Sequence, residues 1–533
     1  MKIVVAEKIS RKGVELLRAE PKWQVVETEP GREKLLPELR DATALIVRSA
    51  VQADAELLER APRLRVIGRA GIGVDNVDIE AATKKGVLVM NTPGGNSVSV
   101  AEHTLALMLA MARSVPQANE SMHAGRWEKK IFEGRELRGK VLGILGLGRI
   151  GVELVKRARA LELEIIAYDP YVPPFVASDL NVALVSLDDI LARADYLSLH
   201  LPLTSETNGI VGKDFLRRAK KGVRIVNCAR GELVDEEALA EAIRSGHVAG
   251  AALDVFAQEP PRNSPLLALP QAVLTPHIAG STAEAQEIVG VRIAEQVRDY
   301  LKHSVIQNAV NVPSISVEEY RSLKPYLDLA ERLGLFLAQI AAGGPAGVRI
   351  RYAGKLAQMN TNLVRNSVLT GLLNFVLAEK ANIVNAAAIA EERGIRIEET
   401  RSQRTQATDS IRVTVRSNGD ESTVEGTVLH GSEPRLLALD GINIESPLDG
   451  NLVVLKNLDV PGVVGKIGMI LGRHHINIAN FSLGRERPGR GKGAKGPVGA
   501  VSVVQVDGKV PPAVVRQLER ASALRFVRVV RLG

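Results

Sequence analysis

Short apolar stretches alternate with helical patterns through roughly the first three hundred residues of the chain. Most of these stretches are continuous apolar runs, as expected for parallel strands that are covered on both faces. Helical patterns such as 152–160 and 236–244 lie between them, which predicts repeated βαβ units. The predicted strands are 3–5, 44–47, 66–67, 87–90, 141–145, 165–168, 197–200, 224–227, 251–254 and 272–275.

The pattern changes after about residue 317. Apolar and polar residues alternate over 411–416 and again over 423–428, with a turn at 417–419 between them, which predicts an antiparallel hairpin in an α+β region. The last eighty or so residues predict the order βαββαβ, typical of a ferredoxin-like unit. Its predicted elements are 452–455, 462–473, 477–482, 498–506, 512–518 and 526–530.

Composition narrows the class of protein. A length of 533 residues suggests three or four domains, and 45% hydrophobic with 24% charged residues is typical of a globular chain. The single cysteine, Cys228, leaves nothing for a disulfide or a cysteine metal cluster, and we predict no metal. No apolar run is long enough for a membrane span or a signal-peptide core. We therefore expect a cytoplasmic protein with no membrane partner.

The net charge is +8, and a basic segment, residues 485–495, carries much of the surplus. A basic balance is compatible with nucleic acid or with small anionic metabolites. Only 3% of the residues are aromatic, too few for base-stacking platforms. We therefore favour anionic metabolites as ligands and expect no nucleic-acid partner.

The strongest short motif is the glycine-rich run at 146–151, which has the form GxGxxG. It follows the predicted strand 141–145 directly and opens a helical pattern, and the next predicted strand ends at Asp169. This context is typical of dinucleotide binding: a tight turn, a helix N-terminus facing a pyrophosphate, and a carboxylate for the ribose. Because Asp169 would repel a 2′-phosphate, we predict NAD rather than NADP. The alternative is an ordinary glycine-rich turn with an exposed aspartate.

Three further segments follow predicted strands, where open α/β sheets bind their ligands. Residues 227–232, 254–260 and 275–282 supply Arg230, Glu259 and His277. Oxidation of a 2-hydroxy acid requires such a set: a histidine to take the hydroxyl proton, a carboxylate to orient it, and an arginine to grip the substrate carboxylate. Taken singly, each residue also fits a surface cation, a solvated turn acid or a loop histidine.

Together these segments resemble the D-isomer-specific 2-hydroxyacid dehydrogenase family, and the likeness covers essentially the whole chain. The stretches that carry it are 68–78, 91–97, 143–151, 226–231 and 251–256. They are most similar to the members that oxidise D-3-phosphoglycerate to 3-phosphohydroxypyruvate with NAD, at the entry to L-serine biosynthesis. The resemblance implies Arg230, Glu259 and His277 as the catalytic set.

The resemblance also implies which residues border the ligands. Arg48, Arg69 and Asn96 match positions that contact substrate. Cys228 is then a strand-end residue beside the cofactor and not a nucleophile. The implied NAD-binding residues are Gly146, Gly148, Arg149, Ile150, Gly151, Asp169, Cys228, Ala229, Arg230, Asp254, His277, Ile278, Ala279 and Gly280.

The C-terminal unit resembles an ACT domain, a module that binds amino acids in regulation. The matching runs are 457–465 and 475–480, and the resemblance implies Asn457, Asp459 and Asn477 as effector-binding residues. It implies L-serine as the effector, with an ACT domain used only for assembly as the alternative. The family resemblance also implies a homotetramer.

The implied fold class is α/β. Two Rossmann-like parallel-sheet domains, for substrate and NAD, precede an α+β intervening domain and a ferredoxin-like ACT domain. The expected boundaries are 1–97 and 285–316 for a split substrate domain, 98–284 for the NAD domain, 317–450 for the intervening domain and 451–533 for the ACT domain.

Other functions remain possible at this point. Another enzyme of the family, such as a glyoxylate or hydroxypyruvate reductase, would use the same catalytic set, but the phosphate-binding cations and the two extra domains argue against it. An NAD-sensing corepressor also keeps the arginine, glutamate and histidine, yet lacks an ACT domain. A pure amino-acid sensor would need no intact catalytic set.

Overall fold

The computed structural model describes residues 1–29, 31–313, 315, 317–341, 343–376, 381–402, 408–486 and 498–532. Within these residues the strands form four sheets. The basic segment singled out above lies outside the described residues from Arg487 onwards. No helix in the described ranges is both long and apolar enough to span a membrane.

The first sheet is entirely parallel, with strand order β2-β1-β3-β4-β5. Its central strands are buried on both faces, which explains their continuous apolar runs. Its elements are β1 (Lys2–Val5), α1 (Arg11–Arg18), β2 (Gln24–Glu27), α2 (Arg32–Leu39), β3 (Ala44–Val47), α3 (Ala55–Glu59), β4 (Val66–Arg69), α4 (Ile79–Lys84) and β5 (Leu88–Met90).

Two helices, α5 (Ser97–Ala112) and α6 (Val115–His123), lead into the second sheet. The remaining elements are β6 (Val141–Leu145), α7 (Arg149–Ala160), β7 (Glu164–Tyr168), α8 (Pro174–Asp179), β8 (Ala183–Leu184), α9 (Leu187–Arg193), β9 (Tyr196–Leu199), α10 (Lys213–Arg218), β10 (Val223–Asn227), α11 (Glu236–Arg244), β11 (Val248–Leu253), β12 (Ala272–Leu274) and α12 (Ala283–His303).

The second sheet is also parallel, with strand order β12-β11-β10-β9-β6-β7-β8. The strand order reverses between β6 and β9, so a crevice opens at the carboxyl ends of these two strands. The glycine run 146–151 follows β6 and His200 follows β9. Helix α12 then returns to pack on the first sheet, where Ile293 and Val297 join its core.

The third sheet is mixed, in the order β14-β13-β15-β16-β17-β18, and only the β13–β14 pair is parallel. The paired helices α13 and α14 cover its apolar face. The elements are α13 (Val317–Ile340), β13 (Gly347–Ala353), α14 (Asn362–Val376), α15 (Ala386–Glu392), β14 (Arg396–Arg401), β15 (Ser410–Ser417), β16 (Asp420–Leu429), β17 (Glu433–Leu439) and β18 (Ile442–Pro447).

The C-terminal sheet is antiparallel, in the order β20-β21-β19-β22, and it has the predicted ferredoxin-like βαββαβ arrangement. Helices α16 and α17 cover one face of it. Its elements are β19 (Gly450–Leu458), α16 (Val463–Arg473), β20 (Ile478–Arg485), β21 (Gly499–Val506), α17 (Pro512–Glu519) and β22 (Leu524–Leu532). The predicted fold class is therefore confirmed.

The hydrophobic pattern missed six strands: β13, β14, β17 and β18 in the third sheet, and two short strands in the parallel sheets, β2 and β8. Both lie at the edge of a parallel sheet, and β8 has only two residues. The residues of β2 are partly or fully exposed, because an edge strand is not enclosed on both sides. Such strands lack the continuous apolar run by which central parallel strands are recognised.

Candidate active site

A cleft of about 780 Å³ opens between the carboxyl ends of the two parallel sheets. The loop after β3 lines one wall, and the loops after β10 and β11 line the other. The cleft brings together most of the residues that the sequence singles out for catalysis and substrate binding. These are Arg48, Arg69, Asn96, Arg230, Glu259 and His277.

A histidine–carboxylate pair lies in this cleft. The Nδ1 atom of His277 is 2.8 Å from Oε2 of Glu259. The other carboxylate oxygen of Glu259 accepts a hydrogen bond from the backbone N–H of Phe256, which holds the carboxylate in place. Since Nδ1 is engaged, Nε2 is the ring nitrogen left to exchange a proton with a bound molecule.

The backbone at His277 is held in the left-handed region, with φ of 53°, which is uncommon for a residue other than glycine. Asp254 supports it: its carbonyl oxygen accepts from the His277 N–H at 2.8 Å. Its carboxylate accepts from the N–H groups of Ile278 at 2.9 Å and Ala279 at 2.8 Å. One residue at the end of β11 thus fixes three successive amides of the histidine loop.

The Asp254 side chain is fully buried. Burial alone raises the pKa of Asp254, but hydrogen bonds from His103, Thr275 and the two loop amides outweigh it and hold that pKa below its ordinary value. The carboxylate is therefore ionised at neutral pH and acts as an acceptor.

Arg230 reaches the cleft from the loop after β10. Its Nε lies 3.3 Å from Oδ2 of Asp75, and its Nη1 donates to the carbonyl oxygen of Ala229. A Cβ atom at Gly73 would lie 2.3 Å from Nη2 of Arg230, so a side chain at residue 73 would make the guanidinium move. The loop after β4 thus leaves room for the present position of this arginine.

Arg48 and Arg69 follow β3 and β4 on the opposite wall. The buried Glu7 carboxylate holds the Arg48 loop by accepting backbone N–H groups of Arg48, Ala50 and Val51. Burial lowers the pKa of Arg69, and the neighbouring Arg230 guanidinium lowers it further. Two guanidinium groups that repel each other favour a bound anion between them.

The glycine loop suits a dinucleotide. Gly146 has φ of 97°, and a Cβ there would lie 2.6 Å from the carbonyl oxygen of His200. Nothing lies within 4 Å of a Cβ added at Gly148, and no side chain caps the N-terminus of α7. The first N–H groups of α7 are thus free to meet a pyrophosphate. Burial lowers the pKa of His200 to about 4, so its ring is neutral beside this loop.

Asp169 follows β7 and turns its carboxylate towards the glycine loop. One oxygen accepts the Leu147 N–H at 2.8 Å, and the other accepts the Tyr171 N–H at 2.9 Å. The carboxylate is therefore fixed beside the loop that would hold the pyrophosphate.

The structure divides the other predicted NAD-binding residues into two groups. Ile150, Cys228, Ala229, Arg230, Asp254, His277, Ala279 and Gly280 line the cleft. Gly146, Gly148, Arg149 and Gly151 belong to the adjoining glycine loop, which Asp169 contacts from the end of β7. Ile278 is exposed and falls in neither group. Burial raises the pKa of Cys228 to about 12, so its thiol stays protonated and is a poor nucleophile.

The three predicted effector residues lie at two ends of the C-terminal sheet: Asn457 and Asp459 are beside the start of β21, and Asn477 is beside its end. Each has a partner inside the chain. Asn457 is buried, and its amide donates to the Leu458 carbonyl and accepts from Ser502. Asp459 pairs with Arg485 at 3.0 Å, and Asn477 donates to Asp507 at 2.7 Å. Their charges and hydrogen-bonding groups are thus satisfied locally in this single chain.

Sequence reasoning missed several residues that build the cleft. Glu7 and Asn76 hold the Arg48 loop. Asp75 contacts Arg230, and His103 contacts Asp254. Asp75 and Asn76 lie in the stretch 68–78 that carried the resemblance, but nothing in that stretch names their partners. Their roles depend on contacts between residues distant in sequence.

Comparisons with known proteins agree with this geometry. Residues 105–279 match the family described as D-isomer specific 2-hydroxyacid dehydrogenase, NAD binding domain. Residues 322–440 match the D-3-phosphoglycerate dehydrogenase intervening domain, and residues 452–523 match the ACT domain.

Full-length relatives carry the same arrangement. A D-3-phosphoglycerate dehydrogenase of Methanocaldococcus jannaschii is 40% identical over 100% of both chains. The one from Archaeoglobus fulgidus is 45% identical over 92% of this chain and 93% of its own length.

Solved structures match somewhat more than half of the chain. A glyoxylate reductase from Paecilomyes thermophila covers 58% of this chain and 98% of its own, with 32% identity and a TM-score of 0.53. The NAD-dependent formate dehydrogenase from Staphylococcus aureus, solved in complex with NAD, covers 59% of this chain and 100% of its own, with 29% identity and a TM-score of 0.52.

Proposed function

The chain belongs to the D-3-phosphoglycerate dehydrogenase family, and we propose that its cleft oxidises D-3-phosphoglycerate to 3-phosphohydroxypyruvate with NAD, the first step of L-serine biosynthesis. The observation that carries this proposal is the His277–Glu259 pair facing Arg230, Arg69 and Arg48 in one cleft. A base and several cations are what a phosphorylated 2-hydroxy acid requires.

His277 acts as the general base in the oxidation direction. Its Nδ1 donates to Glu259, so Nε2 takes the proton from the substrate's C2 hydroxyl. Glu259 keeps the ring oriented and stabilises the imidazolium that forms. In the reverse direction the imidazolium returns the proton to the C2 oxygen. When bound, NAD supplies the acceptor for the hydride that leaves C2.

The arginines position the substrate. Arg230 binds the carboxylate and polarises the C2 oxygen, because a guanidinium matches a carboxylate in two parallel hydrogen bonds. Arg48, Arg69 and Asn96 bind the phosphate end. The Nε of Arg69 is buried and has no partner among the described residues, which suits a donor awaiting an anion. The Oδ1 of Asn96 is also buried without a partner there, and it can only accept from a donor group such as a substrate hydroxyl.

The cofactor is held by the residues that the motif analysis singled out. Gly146, Gly148 and Gly151 let the backbone approach the pyrophosphate, and Arg149 flanks it. Asp169 binds the ribose hydroxyls and disfavours a 2′-phosphate. Ile150, Cys228, Ala229, Asp254, Ile278, Ala279 and Gly280 border the rest of the dinucleotide.

The C-terminal ACT domain provides regulation by a ligand. We infer that this ligand is L-serine, bound across a pair of ACT domains by Asn457, Asp459 and Asn477, and that the enzyme works as a homotetramer in the cytoplasm. We also propose the domain boundaries 1–97 with 285–316, 98–284, 317–450 and 451–533. The four sheets fall within these boundaries except for Gly450, the first residue of β19, which supports the proposal.

Relatives with other substrates are a poorer fit. The glyoxylate reductase structure has no counterpart to about two-fifths of this chain, since it covers 58% of it. The full-length relatives, by contrast, span the intervening and ACT domains as well.

The test is NADH formation from D-3-phosphoglycerate, with L-serine titrated in the same assay and glycerate as the unphosphorylated control. We expect turnover with D-3-phosphoglycerate, little with glycerate, and suppression by serine. Turnover without suppression would contradict the assignment of serine as effector but would support the proposed dehydrogenase activity. Equal rates with both substrates would contradict the phosphate-binding role of Arg48 and Arg69.

A further inference from the structure

His103 is a residue of helix α5 that no motif singled out. Its Nε2 lies 3.0 Å from Oγ1 of Thr275 and 3.4 Å from Oδ1 of Asp254. About a fifth of the His103 side chain is exposed, whereas the Asp254 side chain is fully buried. The histidine therefore closes the outer side of a buried carboxylate.

The proton positions in this cluster follow from its hydrogen bonds. The Thr275 hydroxyl has one proton to donate, and its Oγ1 lies 2.6 Å from Oδ1 of Asp254, an ionised acceptor. Because that proton is given to Asp254, the Thr275 oxygen can only accept from His103. His103 must then carry its proton on Nε2, which donates to Thr275 and towards Asp254.

Asp254 in turn controls the backbone of the catalytic loop. Its carbonyl fixes the N–H of His277, and its carboxylate fixes those of Ile278 and Ala279. These bonds hold His277 at a positive φ, from which its ring meets Glu259. If the carboxylate rotates, the two amides lose their acceptor and the His277 ring loses its fixed direction.

Helix α5 also contacts the histidine loop elsewhere. Ser99 and Thr282 are joined by a hydrogen bond of 2.8 Å that does not involve Asp254. Ser99 therefore provides a matched control on the same helix, because its loss removes a tie to the loop but leaves the Asp254 cluster intact.

We propose that His103 is a positioning residue for the dehydrogenase reaction: with Thr275 it orients the Asp254 carboxylate, which sets the backbone at His277 for proton transfer. The inference rests on the proposed role of His277 as general base. His103 itself touches neither the reacting atoms nor the predicted substrate cations.

The test compares His103→Leu, His103→Gln, Thr275→Val and Ser99→Ala in the full-length enzyme. His103→Leu removes the donor, while the amide of His103→Gln places an N–H near the former Nε2. We expect His103→Leu and Thr275→Val each to lower kcat about tenfold to a hundredfold with the KM for D-3-phosphoglycerate little changed. His103→Gln should recover most of the kcat, and Ser99→Ala should stay close to the parent.

Two further measurements separate positioning from folding and from the proposed chemistry. Melting temperature and NADH affinity, read from NADH fluorescence, report the folded fraction and the cofactor site for each variant. Unchanged kcat in both His103→Leu and Thr275→Val, or a loss fully explained by unfolding, would overturn the inference. An active His277→Ala enzyme would instead overturn the role of His277, whatever His103 does.

Discussion

The catalytic cleft and the predicted effector site of the ACT domain use similar side chains in opposite ways. In the cleft, Arg69, Asn96 and His200 each keep a buried polar atom with no partner among the described residues. At the effector site, Asn457, Asp459 and Asn477 all have partners within the chain. An unpaired buried polar group costs about 1–3 kcal/mol, and a ligand that pairs with it would remove that cost.

The difference teaches that the cleft needs less rearrangement than the effector site to bind its ligand. The cleft is prepared for an anion, with its loops fixed by Glu7, Asp75 and Asp254. The effector site must exchange existing pairs, such as Asp459–Arg485, for contacts to a ligand. Binding there is weakened by the pairs that it displaces.

The largest expected effect is the loss of the general base from the prepared site. His277→Ala should lower kcat by about 10²–10⁴-fold, because His277 is the proposed base for the hydroxyl proton and its ring is the one paired with Glu259. NADH binding should be largely retained, since the glycine loop is untouched. Steady-state kinetics and NADH fluorescence measure the two effects.

The exposed His123 on α6 offers a matched control, because it lies outside the cleft. His123→Ala should leave both kcat and NADH affinity unchanged. If His277→Ala abolished NADH binding as well, the role of His277 would be structural. The claim that the cleft is prepared for catalysis, unlike the effector site, would then lose its support.

The preference for NAD over NADP should change by a smaller factor than kcat changes in His277→Ala. Asp169→Ser removes the charge that would repel a 2′-phosphate, and the ratio of kcat/KM for NAD to that for NADP should fall about tenfold, or roughly 1.4 kcal/mol. Asp169 also accepts the Leu147 N–H, so Asp169→Asn is the matched variant that removes the charge while keeping an acceptor. A ratio that stays constant in both variants would remove Asp169 from the ribose site.

The sequence predicts the strands and the glycine loop that form the cleft better than the side chains that hold the loops of the cleft in place. The apolar runs of β1, β3, β6 and β9 indicate parallel strands because those strands are covered on both faces, and the glycine run marks the switch point of the second sheet. These signals are local. The edge strands β2 and β8 lack them, and both escaped prediction.

The supports depend on residues far apart in the chain. His103 and Thr275 are separated by 172 positions, and Arg48 and Glu7 by 41. A lone histidine on a helix carries no pattern that names its partner. For the same reason, the internal pairs of Asp459 and Asn477 could not be read from the ACT motif, and neither could their places at opposite ends of the sheet.

The smallest expected effects concern the effector site, and they test whether its ion pair competes with serine. Asp459→Ala removes the carboxylate proposed for the serine ammonium, so the serine concentration for half-inhibition should rise about fivefold, near the 1 kcal/mol typical of a partly exposed ion pair. Arg485→Ala frees that carboxylate, so the same concentration should fall. Asp449→Ala, which breaks a hydrogen bond to Gln505 instead, is the control and should leave the dose curve in place. Opposite shifts for Asp459 and Arg485 require that serine and the arginine share one carboxylate. Shifts of the same sign would mean that the pair merely stabilises the domain, and the effector site would then have to lie elsewhere.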